Sequence, residues 1–117
     1  MTTYVKNKLS DSTNGRGIKI TQTGTPGDDL HTAVTGTTDF DEIYIYAVNS
    51  DSADKKLTIE FGGVSTPDDL IEITVKGESG LVLIIPGFLL NNALDVAAFC
   101  ETANVVMIHG YIHEIRA

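Results

Sequence analysis

Short runs in which apolar and polar side chains alternate make up most of the chain beyond residue 16. In the clearest of them, Leu57, Ile59 and Phe61 alternate with polar residues. Successive side chains of a β-strand point to opposite faces, so this pattern predicts strands with one buried face. Eight such runs are separated by turn-forming residues. They cover residues 17–23, 30–35, 42–49, 56–61, 70–76, 81–85, 94–99 and 105–115.

Four segments depart from simple alternation of apolar and polar residues. Residues 42–49 are apolar or aromatic on both faces, which predicts a central strand or one covered on both sides. Residues 81–85 are apolar throughout, as in a fully buried strand. Residues 66–69 begin like a helix, with an N-capping Thr before Pro, but allow one turn at most. Residues 88–100 have apolar residues at helical spacing, so a helix there stays open beside the strand.

About eight short strands in a chain of 117 residues predict an all-β fold, a two-sheet antiparallel sandwich. A jelly roll is favoured over an immunoglobulin-like topology, because the chain has no Trp and only one Cys. We expect residues 1–16 to form an extended N-terminal arm, residues 17–117 to form the sandwich, and residues 101–104 to join the last two strands as a tight hairpin. The predicted core consists of Ile43, Ile45, Leu57, Ile59, Ile71, Ile73, Val75, Leu83 and Val106.

The charge of the chain is uneven. The net charge is −8, which argues against nucleic-acid binding, because that binding depends on Lys and Arg. Residues 1–19 nevertheless hold four cations and one acid. A basic arm on an acidic body suggests docking to an acidic surface, although a solvated tail is the alternative. The docking contacts would be the cations Lys6, Lys8 and Arg16 with the apolar anchors Tyr4 and Val5.

The longest apolar stretch, residues 81–90, is broken at Pro86 and is far shorter than the roughly 20 residues of a membrane span. It has more apolar side chains than one face of one strand can bury. We therefore expect Phe88 and Leu89 to contact a sister subunit, with a trimer as the first expectation. The first residues are polar rather than an apolar leader, so no membrane role and synthesis in a cytoplasm are expected.

Candidate chemistry is sparse. His109 and His113 would lie about 13 Å apart on one face of a strand, at roughly 3.3 Å per residue, and could not chelate one ion together. Acidic residues cluster at the predicted turns, which leaves a calcium site between loops open. We see no catalytic motif and expect neither an enzyme nor a cofactor. Tyr44 and Tyr111 belong either to the core or to an exposed contact surface.

Several stretches of the chain resemble small β-sandwich decoration or minor head proteins of tailed bacteriophages. One of these stretches is Glu42-Ile43-Tyr44-Ile45-Tyr46-Ala47-Val48-Asn49. The resemblance runs along most of the chain, through residues 7–18, 25–34, 42–49, 57–63, 86–92 and 104–111.

This resemblance implies a non-enzymatic virion protein that binds the major capsid protein on the outer surface of the head and is made in the bacterial host cytoplasm. It carries over no active-site residues. The competing hypothesis is a ligand-binding or carbohydrate-binding sandwich from a phage fibre or baseplate. A sugar binder is expected to show exposed aromatic rings, whereas a decoration protein is expected to show an ordered arm and a protein interface.

Overall fold

The computed structural model describes residues 2–117, which form nine strands and no helix. Residues 2–117 therefore include no helix able to cross a membrane. The strands are β1 (Thr3–Lys8), β2 (Ile18–Lys19), β3 (Asp28–Thr32), β4 (Phe40–Asn49), β5 (Lys55–Phe61), β6 (Leu70–Val75), β7 (Val82–Leu90), β8 (Asp95–Cys100) and β9 (Val106–Arg116).

The strands form two antiparallel sheets, which confirms the predicted two-sheet sandwich. The five-stranded sheet has the order β1-β9-β4-β7, with β2 also paired to β9, and the four-stranded sheet has the order β3-β8-β5-β6. The pairs are nested along the chain: β5 pairs with β6, β4 with β7, β3 with β8 and β1 with β9. The chain thus folds as one long hairpin whose successive pairs belong alternately to the two sheets.

The core lies between the two sheets and is built from aliphatic side chains. Six of the nine predicted core residues are fully buried, and Ile71 and Ile73 pack against the core while half-buried. The prediction is wrong for Leu83, which is 46% exposed. The pairing of β4 with β7 shifts register twice and places Leu83 opposite Tyr46. The buried residues of the core are Leu9, Ile20, Leu30, Ile43, Ile45, Ala47, Leu57, Ile59, Val75, Ile85, Val96, Ala98, Cys100, Val106, Ile108 and Ile112.

The structure decides four local predictions, two of which are wrong. The apolar run at residues 81–85 is not a fully buried strand, because it opens the edge strand β7, in which Ile85 alone is fully buried. Residues 88–100 form the end of β7, a turn and β8, which agrees with the predicted strand at residues 94–99 and excludes the alternative of a helix. Residues 101–104 are no hairpin, because β8 and β9 belong to different sheets. The expectation of one turn at residues 66–69 agrees with the structure, where the Asp69 amide donates to the Ser65 carbonyl at 2.9 Å.

The N-terminal segment lies against the sandwich. All six residues of β1 are exposed, but they pair in register with β9, from Thr3 opposite Arg116 to Lys8 opposite Tyr111. Leu9 then enters the core and is 1% exposed. An extended arm was expected here, but the burial of Leu9 was not predicted, because a single Leu gives no periodic pattern that a sequence could reveal. The boundary at residue 16 stays a prediction about independent folding.

Candidate functional site

The outer face of the five-stranded sheet carries aromatic side chains. The register of β4 with β9 places Tyr44 opposite Tyr111 and Glu42 opposite His113. Along β4 and β9 the outward residues alternate with the buried Ile43, Ile45 and Ile112. The aromatic residues therefore face away from the second sheet. Lys6 of β1 pairs with His113 and shares that outward face. We call the side chains of Lys6, Glu42, Tyr44, Tyr111 and His113 the aromatic face.

The two tyrosines of the aromatic face form the centre of a row that crosses four strands. Their rings stack with centroids 4.8 Å apart and planes 17° apart. The ammonium of Lys6 lies 4.5 Å from the centroid of Tyr111. On the opposite side of the row, the Tyr44 ring lies over Gly87, where an added Cβ would come within 2.9 Å of Tyr44 Cζ. Gly87 has φ +98°, at one of the register shifts between β4 and β7, so the backbone there makes room for the ring.

Glu42 organises the polar edge of the aromatic face. Its Oε1 accepts a hydrogen bond from the Tyr44 hydroxyl at 3.0 Å and lies 3.0 Å from Nδ1 of His113. The hydrogen bond from His113, and then that from Tyr44, lowers the pKa of Glu42 below its ordinary value. The same hydrogen bond to Glu42 raises the pKa of Tyr44. His113 also packs edge-on against both tyrosine rings, with centroids 5.5 and 5.6 Å away.

Apolar side chains surround the aromatic face. Leu83 and Leu89 of β7 face outward opposite Tyr46 and Glu42. Phe40 of β4 and Tyr4 of β1 both lie opposite Ile115 of β9. The four side chains Tyr4, Phe40, Leu83 and Leu89 are exposed, Tyr4 to 68%. Aromatic residues are enriched at the centre of protein interfaces, and here exposed apolar groups extend the surface around the two tyrosine rings.

The predicted docking residues lie on two sides of β1 and on a loop. Tyr4, Lys6 and Lys8 share the outward face of the sheet, whereas Val5 points to the opposite side, in register with Glu114. Arg16 is exposed in the loop before β2, where its carbonyl accepts a hydrogen bond from the Ser12 hydroxyl at 2.7 Å. The structure therefore places Lys6 in the aromatic face and Tyr4 and Lys8 beside it, and it leaves Val5 and Arg16 elsewhere.

The predicted oligomer residues lie at the other edge of the same sheet. Phe88 and Leu89 are both about half exposed on β7, which β4 and β9 separate from β1. Their side chains point to opposite faces, with Leu89 opposite Glu42 and Phe88 opposite Ile43. Phe88 contacts Phe61 edge-on, with centroids 6.4 Å apart. Only Leu89 therefore adjoins the aromatic face.

A buried histidine–aspartate pair was not predicted from the sequence. His31 and Asp41 are 4% and 2% exposed, with Nε2 and Oδ2 2.7 Å apart. The Ser10 amide donates to Nδ1 of His31 at 2.9 Å, so the ring proton lies on Nε2 and is donated to Asp41. Both ring nitrogens are thus occupied, and neither is free to act as a general base. The pair joins the chain after β1 to β3 and β4.

The other histidines and acidic residues considered as metal ligands do not come together at one site among residues 2–117. His109 and His113 lie on β9, where they pair with Tyr46 and Glu42 respectively. Within residues 2–117, no three His, Cys, Asp or Glu side chains are grouped so that they could hold a metal ion. Glu60, expected on an outward face, is buried because the loop before β3 covers it, with the Gly27 amide donating to Oε1 at 2.7 Å.

The aromatic face is therefore the surface that residue chemistry and geometry most clearly mark for contact. The sequence separated the tyrosines of β4 from the isoleucines, but the pairing of β4 with β9 that assembles the face joins distant parts of the chain. Comparisons with protein-family models, curated proteins and solved structures give no match to this chain.

Proposed function

We propose that this protein is a non-enzymatic structural protein of a tailed-bacteriophage head, a decoration protein that binds the major capsid protein on the outer surface of the shell. The observation that carries the proposal is the aromatic face, whose stacked tyrosines face away from the protein's own core and are surrounded by exposed apolar side chains. Such a surface on a small domain suits a protein interface. The resemblance of the sequence to minor head proteins supplies the kind of partner.

The topology supports this assignment. Strands that pair as one nested hairpin and alternate between two sheets, in the orders β1-β9-β4-β7 and β3-β8-β5-β6, fit a jelly roll. In the immunoglobulin arrangement the strands are distributed differently between the sheets. We therefore infer a jelly-roll sandwich, an architecture that viral capsid domains use repeatedly.

Charge supplies the second part of the docking surface. Lys6 and Lys8 lie on the outward side of β1 at the margin of the aromatic face, while the chain as a whole has a net charge of −8. An acidic capsid surface would attract this basic margin and be repelled by the rest of the protein, which fixes the orientation of docking. In this arrangement the tyrosines supply most of the binding energy, and the lysines accelerate association.

The carbohydrate-binding alternative fits the aromatic face less well. A sugar stacks on the face of an aromatic ring, which must therefore be open. Tyr44 covers one face of Tyr111 and the Lys6 ammonium lies over that ring at 4.5 Å, while Tyr44 itself lies between Tyr111 and Gly87. The rings therefore present their edges to solvent, which suits packing against protein side chains.

Assembly on a shell also explains the exposed apolar side chains of β7, at the edge of the sheet opposite β1. We propose that Phe88 and Leu89 contact a sister subunit when copies assemble on the shell, with a trimer as the expected state there. Many copies on a symmetric shell bind through individually weak contacts that act together. The protein would then reside on the virion surface, without binding nucleic acid or a membrane.

A reconstitution experiment tests the proposal. Empty shells are made from the major capsid protein encoded in the same genome, incubated with this protein and recovered by sedimentation. Wild type is expected to co-sediment with the shells. Tyr44→Ala with Tyr111→Ala is expected to abolish binding, and Lys6→Glu with Lys8→Glu is expected to weaken it most at low salt.

Two controls make this result specific. Lys76→Glu reverses one charge of the same kind at an exposed position directly after β6, in the other sheet, and is expected to bind like wild type. Circular dichroism is used to show that each variant stays folded. Failure of the wild type to bind shells, or binding of the tyrosine variant at wild-type level, would overturn the proposal. Binding to glycans that the tyrosine variant loses would support the carbohydrate alternative instead.

A further inference from the structure

Strand β1 forms an unpartnered edge of the five-stranded sheet. It pairs with β9 on one side, and no strand among the described residues pairs with it on the other. Such an edge presents a row of unpaired backbone N–H and C=O groups. All six residues of β1 are exposed, including Val5 and Tyr4, so a strand added at this edge would cover apolar side chains as well.

The other edge of the same sheet is less suited to strand addition. Strand β7 contains Pro86, which has no backbone N–H, and its pairing with β4 shifts register twice. Proline and bulges are both devices that protect sheet edges from pairing. Strand β1 has neither, and its register with β9 is unbroken from Thr3 to Lys8. Its protection consists of Lys6 and Lys8 alone.

We propose that β1 pairs antiparallel with β1 of a second copy of this chain across a two-fold axis at Val5. In an antiparallel pair around such an axis, residues opposite each other lie on the same face of the sheet. With Val5 opposite Val5 of the second copy, Tyr4 lies opposite Lys6 and Thr3 lies opposite Asn7. The two sheets then join into one continuous sheet.

The side chains favour this register over those centred at Lys6 and Asn7. An axis at Lys6 places two lysines directly opposite each other, and an axis at Asn7 opposes Lys6 to Lys8, both of which are destabilising. The axis at Val5 opposes two apolar side chains and places each Lys6 next to the Tyr4 ring of the other copy. Lys6, which already lies 4.5 Å from the Tyr111 centroid, would then lie between two aromatic rings.

The consequence is a doubled docking surface. Tyr4, Lys6, Tyr44 and Tyr111 share the outward face of the sheet, so joining two sheets at β1 continues the aromatic face from one copy into the next. The contact leaves Phe88 and Leu89 free at the opposite edge. It does not depend on a capsid partner, and its test uses the isolated full-length protein.

Sedimentation velocity of wild type and Val5→Lys tests the pairing. Within the chain Val5 lies opposite Glu114, so a lysine at position 5 is compatible with the β1–β9 pair. Across the proposed axis it places two like charges opposite each other, and the dimer dissociation constant is expected to rise at least about tenfold. The matched control is Val64→Lys at another exposed valine, which is expected to dimerise like wild type. A wild type that stays monomeric up to about 1 mM, or a Val5→Lys variant that dimerises like wild type, would overturn the proposal.

Cysteine cross-linking tests the register. Cβ atoms of directly opposed residues lie close enough for a disulfide, and the native Cys100 is buried and does not compete. On mild oxidation Val5→Cys is expected to give a covalent dimer, while Lys6→Cys and Val64→Cys give little. Equal cross-linking of all three variants, or preferential cross-linking of Lys6→Cys, would refute pairing at Val5.

Discussion

Tyr44 and Tyr111 stack at a centroid distance of 4.8 Å on neighbouring strands, on the side of the sheet that faces away from the core. Two tyrosine rings that contact each other in this way hold a defined position before any partner arrives. A surface with its side chains already ordered loses less entropy on binding than a surface of mobile chains. The stack therefore prepares the aromatic face for docking.

A double-mutant cycle measures the energy of this stack. Tyr44→Leu, Tyr111→Leu and the double variant are compared by urea unfolding, and the coupling energy is expected to be about 0.5–1.5 kcal/mol. Tyr4→Leu with Tyr44→Leu is the control, since Tyr4 lies opposite Ile115 rather than Tyr111 and its effect is expected to be additive with that of Tyr44. Additive effects of Tyr44 and Tyr111 would show that their rings do not interact in solution.

Two apolar positions, one in the interior of the sandwich and one on its surface, offer a paired test of the fold. Ile59 is fully buried between the sheets, whereas Leu83 is 46% exposed on the edge strand β7. Ile59→Ala is expected to lower the free energy of unfolding by about 2–5 kcal/mol. Leu83→Ala is expected to change it by no more than about 0.5 kcal/mol. Equal losses in urea unfolding would contradict the placement of β7 at the edge.

The contrast between these two residues shows how far the sequence predicts the fold. Alternation along β5 identified Ile59 as buried, because a strand with one buried face has a period of two. The same rule failed for Leu83, because two register shifts in the β4–β7 pair change which residues face inward. Register shifts of this kind arise when strands pair, and the order of apolar and polar residues within one strand does not reveal them.

The aromatic face was also only partly predictable. The pattern along residues 42–49 separates Ile43 and Ile45 from Tyr44 and Tyr46, but both sets are apolar enough to be buried. Which of the two sets is buried depends on the second sheet, which packs against the isoleucines. The buried pair of His31 and Asp41 was not predictable either, because a single histidine within a strand has no periodic signature.

Leu9 tests whether the N-terminal segment contributes to folding. Its side chain is 1% exposed and fills the space above Gly110, where an added Cβ would lie 3.3 Å from Leu9 Cδ1. Leu9→Ala is expected to cost about 2–5 kcal/mol in urea unfolding. Deletion of residues 2–14 is expected to lower the melting temperature for the same reason. A deletion variant with the melting temperature of the full chain would show that residues 2–14 are dispensable for folding.

Asp11 gives the protein a defined pH dependence. Burial, and then the neighbouring carboxylates of Asp29 and Asp95, raise the pKa of Asp11 above its ordinary value. The folded state therefore binds this proton more tightly than the unfolded state does. The resulting stabilisation is present below the unfolded pKa of 3.8 and is lost as the pH rises through the folded pKa.

At neutral pH the ionised Asp11 thus opposes folding, and Asp11→Asn is expected to raise the melting temperature. The difference from wild type should shrink as the pH is lowered towards the unfolded pKa of 3.8, where the native carboxyl also becomes neutral. Asp68→Asn, at an exposed turn, makes the same charge change and is expected to leave the melting temperature nearly unchanged. Thermal unfolding of wild type, Asp11→Asn and Asp68→Asn, measured from neutral pH down to pH 3.8, checks the prediction. Relief of charge repulsion must disappear when the carboxyl is protonated. If Asp11→Asn raised the melting temperature equally at both ends of the range, the effect would therefore come from the amide itself and the prediction would be wrong.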